Sequence, residues 1–333
     1  MLGYIGRRVL QIIPLLIGLS LIIFFVIQLP PGDYVSMQIQ NLRLQGTDVA
    51  EAEVDRLMRL YDLDRPFHEQ YLRWIGRFVQ GNFGRSMERG IPVTQVIGDR
   101  LALTMVVSLL SLAFTWAISI PAGIYSATHQ YSSLDYIFTF LGFLGISVPG
   151  FLIALVILFL VFSWTGTALV GLFSSEFIGA PWSWPKVVDL LKHVWLPMII
   201  LGISGTASLI RIMRGMMLDE LQKQYVITAR AKGLSERRLL FKYPVRMAIN
   251  PIISTIGWLL PALISGEVLV SVVMNLPTMG PLILRAIMAQ DMPLAGSFLM
   301  ISSTLAVFGT LVSDILLAYL DPRIRFGGVT EEA

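Results

Sequence analysis

The sequence predicts an all-α membrane protein with six transmembrane helices, and three observations carry that prediction. Mean hydropathy is +0.71, with 55% of residues hydrophobic and 14% charged, far more apolar than a soluble domain of this length. Uncharged runs lie at 9–29, 101–128, 136–164, 194–210, 247–266 and 292–313, and a helix needs about 20 such residues to cross the hydrocarbon layer. Basic residues, finally, are unevenly divided among the loops that join these runs.

The first run follows Arg7 and Arg8, as the core of a signal sequence would. It is longer than a typical h-region and leads into Pro30-Pro31-Gly32-Asp33 rather than a small-residue cleavage site, so it reads as the first span. The second and third runs exceed the hydrocarbon thickness and should tilt or extend into the interface. The fourth is short and is expected to borrow flanking residues.

Orientation follows from the short loops, because basic residues there stay on the cytoplasmic side. With the N-terminus inside, inner segments hold Arg7, Arg8, nine Lys and Arg at 211–246, Arg323 and Arg325, thirteen in all, against Lys186, Lys192 and Arg285 outside. Both termini are therefore predicted to be cytoplasmic. The net charge of +3 is accounted for by these loops and gives no reason to expect a nucleic-acid partner. The absence of cysteine excludes disulfides, zinc-thiolate sites and cysteine nucleophiles, and no metal site is expected.

Residues 30–100, the first outer segment, predict a small helical cap. Asp48 and Glu51 form a plausible capping box for a helix reaching Tyr61, and Pro66 can open a second. Phe67, Tyr71, Trp74, Phe78 and Val79 then recur at helical spacing and Gly81 is a natural stop. The aromatics are expected to pack on the spans; a surface receiving a delivering protein or substrate is the other reading.

No Gly-Lys pair occurs anywhere, so the chain has no phosphate-binding loop of its own and is not expected to hydrolyse ATP. Gly202-Ile203-Ser204-Gly205 has the form of a buried nucleophile, yet His68, His129 and His193 all fall outside the spans and leave Ser204 without a general base. Close helix packing on small residues is the preferred reading there. Charges in the spans are costly: Glu267 is expected near the outer end of the fifth span, and Asp314 at the cytoplasmic interface, level with Arg211 and Arg214. A structural ion pair of Asp314 with one of these arginines is preferred to a proton relay.

The segment 211–246 is the most distinctive. Asp219 with Gln222 can cap a helix, and Leu221, Tyr225, Val226 and Ala229 then share a face. That apolar face is expected to project into the cytosol beside the small Ala229, Ala231 and Gly233, flanked by Lys223, Arg230, Lys232, Arg237 and Arg238. Gly233 suits a left-handed helix stop and Ser235 the next cap. Pattern favours a docking surface over an amphipathic loop that only lies on the membrane.

Thr228-Ala-Arg-Ala-Lys-Gly-Leu234 resembles the EAA loop of ABC-importer permeases, in the form found in the oligopeptide, dipeptide and nickel permease family. The likeness covers nearly the whole chain: Tyr4-Ile-Gly-Arg-Arg8 and Pro31-Gly-Asp33, then Gly81-Asn-Phe-Gly-Arg-Ser86, Ser147-Val-Pro-Gly150, Asp291-Met-Pro293 and Leu320-Asp-Pro-Arg-Ile-Arg325. Ile227 and Thr228 stand where a general EAA loop has Glu and Ala, and Ser271 and Pro277-Thr278 where relatives often have Glu and Pro-Gly. The resemblance implies a type I ABC importer permease fold: an N-terminal transmembrane helix (1–29), the extracytoplasmic cap (30–100), a five-helix permease core (101–320) with its coupling loop at 211–246, and a cytoplasmic tail (321–333). It further implies a multi-pass protein of a bacterial or archaeal cell membrane, in contact with lipid. The expected partners are a homologous second permease, two cytoplasmic ABC ATPases that hold the ATP and Mg, and an outer solute-binding protein; no cofactor is bound by this chain. ATPase coupling would fall to Leu221, Tyr225, Thr228, Ala229, Arg230, Ala231, Lys232, Gly233 and Leu234. Oligopeptides or dipeptides are the implied cargo, with oligosaccharides, glutathione or nickel as alternatives. A self-sufficient secondary carrier is the competing class, but the inverted repeats and broken helices it would need are not evident.

Overall fold

The computed structural model describes residues 2–29, 51–167, 169–256 and 268–320, together with 35–37, 39 and 44. Asp48, the 31–33 motif, Glu267, the second half of the fifth apolar run and the tail from 321 lie outside the described residues. In chain order the helices are α1 (Leu2–Gln28), α2 (Glu51–Leu60), α3 (Phe67–Val79), α4 (Val93–Thr128), α5 (Ser133–Ser147), α6 (Gly150–Thr165), α7 (Trp184–Leu221), α8 (Gln224–Ala231), α9 (Glu236–Lys242), α10 (Pro244–Ala248), α11 (Asn250–Ser254), α12 (Met279–Met288) and α13 (Met292–Leu320). No β-strand forms among the described residues; a single antiparallel bridge joins Arg85 to Pro92.

Three of these helices, α1, α4 and α13, are each long and apolar enough to cross a membrane, and two bent pairs bring the number to as many as five among the described residues. The first bent pair breaks the single helix expected over 136–164 into two. There α5 and α6 meet at 108°, because Pro149 has no N–H for a continuing helix and its ring drives Val148 to an extended conformation, φ −99° and ψ 125°. The second pair lies within α7, bent by 51° between Ile203 and Gly205. Its short apolar run is lengthened on both sides, from Trp184 to Leu221.

Contacts divide the chain into two compact units. In the unit formed by Val9–Thr104 and Thr278–Leu305, the aromatic stripe of α3 packs on α1. Tyr71, Trp74 and Phe78 surround Ile23, Phe24 and Ile27, and the Phe24 ring lies edge-on to Phe67 and Tyr71 at 5.0 and 5.5 Å. Val79, expected on that stripe, is instead 80% exposed, since the last helical residue has rotated past the packed face. Gly81 stops α3 at φ +77°, with Asn82 N–H donating to Arg77 O at 2.9 Å and Gly81 N–H to Phe78 O at 2.9 Å. Those two bonds make a Schellman termination.

A buried carboxylate closes this unit. Asp291 is fully buried and caps α13, accepting from Leu294 N–H at 3.3 Å through one oxygen. Its other oxygen accepts from the Ser86 hydroxyl and from Glu88 N–H, while Ser86 Oγ accepts from Arg89 N–H at 3.1 Å. Two motifs about two hundred residues apart thus become one polar knot. A helix N-terminus favours an anion, so three donors and the dipole together hold the charge.

In the unit formed by Met1–Arg8, Met105–Pro277 and Ala306–Ala333, α4 and α7 approach so closely that a Cβ on Gly123 would lie 2.5 Å from Met213 Cβ. The α5 start is a charged node. Ser132 Oγ accepts from Asp135 N–H, and the buried Asp135 carboxylate returns to Tyr131 N–H at 3.0 Å. It also receives Arg214 Nε and Nη2 at 3.0 and 3.1 Å. Asp314 pairs instead with Arg8, at 3.3 Å. This corrects the expected Asp314 pairing with Arg211 or Arg214: similar depth along the chain does not bring side chains to the same face, and the nearer carboxylate for Arg214 is the one α5 presents.

Replacing Asp291 with Ala should destabilise the protein by about 3 kcal/mol, because buried donors lose their acceptor along with the helix cap. Thermal unfolding of the purified protein would reveal it. Asp135→Asn should cost on the order of 3 kcal/mol in the same assay, since it leaves a half-buried guanidinium unpaired, whereas Asp314→Asn should cost about 1 kcal/mol or less.

Candidate functional site

The segment between α7 and α10 folds as a compact knuckle on the end of α7. The expected Asp219/Gln222 helix start is not formed: Asp219 lies in the last turn of α7, and Gln222 is its C-cap. Packing outweighs local capping preference here, because Met213, Met217 and Leu221 continue one α7 face at four-residue intervals against Val245, Ala248 and Ile252. Leu221 therefore belongs to the anchoring helix rather than to α8. The chain turns at Lys223, and α8 begins at Gln224 with backbone bonds alone at its start.

Val226 and Ala229 do not project into solvent as expected. They are 0% and 7% exposed and form a small core with Leu239, ringed by Leu234 and Tyr243. Two short helices give each other the apolar partner that neither could find alone. The link between them is a second Schellman turn: Leu234 N–H donates to Ala229 O at 3.3 Å and Gly233 N–H to Arg230 O at 2.9 Å, with Gly233 at φ +78°. Leu234 supplies the hydrophobic contact that accompanies this motif. A Cβ on Gly233 would meet nothing within 4 Å, so the need for glycine is conformational and not steric.

Charges brace the knuckle from outside. Arg230 holds Glu236 across the turn in a two-pronged pair at 2.7 and 3.2 Å. The guanidinium keeps that carboxyl below the usual carboxylate range, and the Arg230 pKa is raised in return. Ser235 occupies the N-cap of α9 but makes no side-chain cap bond. The Tyr225 hydroxyl donates to Glu220 in the last turn of α7; burial, then that hydrogen bond, pushes the phenol upward, so it stays protonated. Its ring lies 6.2 Å from that of Tyr243. The partners of Glu220, Glu236, Leu239 and Tyr243 were not marked in the sequence, since each meets its partner across a turn.

What remains open is the opposite face of α8. Tyr225 and Ile227 are 39% and 47% exposed, and Thr228, Ala231, Lys232 and Gly233 are exposed beside them. Arg237, Arg238 and Lys242 continue the positive rim. Of the residues singled out for coupling, Tyr225, Thr228, Arg230, Ala231, Lys232 and Gly233 lie on the surface, while Ala229 and Leu234 face the interior of the knuckle.

The glycines around Ser204 serve close packing. A Cβ on Gly202 would fall 2.6 Å from the Phe114 ring, and Gly202 O accepts from Thr115 Oγ1 at 3.2 Å. The Ser204 side chain lies outside the described residues. Among the described residues no group of three or more His, Asp or Glu is placed to hold a metal ion.

Residues 119–326 match the family model described as the binding-protein-dependent transport system inner membrane component. The chain belongs to this family. The oligopeptide transport system permease protein AppB of Bacillus subtilis (strain 168) is 36% identical over 330 residues, covering 98% of this chain and 100% of that protein. The di/tripeptide transport system permease protein DppB of Pseudomonas aeruginosa (strain UCBPP-PA14) is 31% identical, and the dipeptide transport system permease protein DppB of Escherichia coli (strain K12) 28%, each covering 98% of this chain and 99% of that protein. Within the family match fall the knuckle, the Pro149 bend and the Asp135–Arg214 pair. The segment ahead of residue 119 is shared with the full-length relatives. As an inner membrane component of such a system, the chain is a transport subunit of a membrane permease.

Gly233→Val should raise backbone strain without creating a clash, costing about 2 kcal/mol locally. Hydrogen exchange across 224–242 should accelerate, while protection in α4 and α13 stays unchanged.

Proposed function

We propose that this chain is one of two homologous permease subunits of an ATP-driven importer for oligopeptides or dipeptides, the cargo classes in its relatives' names. In this reading it crosses the membrane six times with both termini cytoplasmic. Residues 30–100 form an outer helical cap, 101–320 the permease core, 211–246 the coupling segment and 321–333 the tail. Two cytoplasmic ATPases carry the ATP and Mg, and an outer solute-binding protein delivers the cargo.

The observation that carries the reading is the bracing of the knuckle. Its open face, Tyr225, Ile227 and Thr228, is backed by a filled core and tied to the last turn of α7 through Tyr225 and Glu220. A push on that face has no soft element to dissipate into, so it displaces α7. ATP-driven closure of the two ATPases, with α8 seated in a groove on one of them, would then tilt the core helices and open the pathway outward. Release of ADP and phosphate would restore the inward state, each nucleotide state acting only through its differential affinity for the two arrangements.

Ile227→Asp and Val226→Asp separate docking from folding. Ile227 is exposed, so its replacement should leave thermal stability within about 0.5 kcal/mol yet abolish ATP-driven peptide uptake in vesicles carrying the full complex. Val226→Asp should lower stability by roughly 3 kcal/mol through an unpaired buried carboxylate. Normal uptake by the Ile227→Asp protein would remove α8 from the coupling role.

A further inference from the structure

The angle between α5 and α6 encloses an apolar slot of about 540 Å³. Its walls include Phe114 and Ile118 of α4, Leu152 and Val156 of α6, and Ile203 and Ile210 of α7. A second hollow of about 190 Å³ continues it, sharing Phe138, Gly142, Ala207 and Ile210 and ending on Arg211 and Arg214. Helices α5 and α7 close the floor, where a Cβ on Gly145 would come within 3.3 Å of Ala207 Cβ. From Ile203 to Arg214 the groove follows α7 for about 16 Å at the rise of an α-helix.

The two ends have opposite chemistry. One is lined by aliphatic and aromatic side chains; the other presents two guanidinium groups. Arg214 is engaged by Asp135, but Arg211 is exposed and, among the described residues, pairs with no carboxylate. A cation that no described carboxylate engages, at the mouth of an apolar slot in a membrane protein, calls for an anion with a hydrocarbon tail. Guanidinium groups suit phosphate because their planar fork can donate two parallel hydrogen bonds, and basic pockets between membrane helices hold acidic headgroups on this principle.

We propose that this groove is a binding site for an anionic phospholipid, with one acyl chain along α7 between α5 and α6 and the phosphate on Arg211. The bound lipid fills the bend and supplies the anion that no described side chain provides. It would also hold the α5–α6 angle against the part of α7 that leads into the knuckle.

Native mass spectrometry of the purified full-length protein, exchanged against phosphatidylglycerol or phosphatidylcholine of matched chains, tests this. Retained phosphatidylglycerol should exceed phosphatidylcholine roughly five-fold, the preference expected from about one basic contact near a membrane surface. Arg211→Gln should abolish that preference without lowering thermal stability, since Arg211 supports no ion pair among the described residues. Val156→Trp, placed on an exposed wall, should reduce retention of both lipids. Equal retention by the parent protein, a preference that survives Arg211→Gln, or displacement of phosphatidylglycerol by inorganic phosphate would overturn the proposal. The chain has no cysteine, so Val156→Cys adds a single thiol; its efficient cross-linking to another permease subunit in native membranes would show that protein, not lipid, covers the slot.

Discussion

Hydrocarbon offers a buried polar group no water to fall back on, and that constraint organises this molecule. A carboxylate placed in or beside an apolar helix has to bring its own donors. Asp291 does so with the Ser86 hydroxyl, two backbone N–H groups and the start of α13, and Asp135 with Arg214 and the Tyr131 amide. Both are buried, and both tie elements distant in sequence. The polar contacts thereby select one arrangement of helices whose apolar faces alone could slide past one another.

Helix ends obey the same rule through a repeated device. At Asp62, Gly81, Gly233, Asn275 and Gln290 the chain enters the left-handed region, and in each case the following N–H returns to a carbonyl of the last turn. Three of the five are not glycine, so they accept backbone strain to end the helix at a set place. Asp62 repays it by receiving Arg65, Arg73 and Arg77. At Gln290 the turn delivers Asp291 to its buried site. At Gly233 it folds α9 back on α8, and the open face of α8 is displayed as a consequence.

The proposed coupling role and the proposed lipid groove meet in α7. One end of this helix carries the knuckle; the stretch before it, from Ile203 to Arg214, lines the apolar slot and supplies the guanidinium groups. A helix bent by 51° between Ile203 and Gly205 is a natural place for two arrangements of similar energy. Groups packed against either side of it can bias which arrangement is occupied.

The apolar runs, the helical class, the left-handed stop at Gly233 and the family resemblance were legible from residues alone, because hydropathy, turn chemistry and short motifs are local properties. The division of the 136–164 run into two helices was also written there, in Ser147-Val-Pro-Gly150, but run length masked a proline whose effect is as local as any. Tertiary structure alone decided the rest. It sent Val226 and Ala229 inward, because a face is apolar in sequence whatever later covers it, and Leu239 covers this one. It gave Arg214 to Asp135 and Asp314 to Arg8, because ion pairs depend on which faces meet and not on depth along a helix. It joined Ser86 to Asp291 across the length of the chain, since long-range hydrogen bonds leave no periodic trace. The sequence by itself therefore determined what the molecule is made of and where some of its helices stop; packing determined which of its polar residues hold the fold together and which remain free to meet a partner.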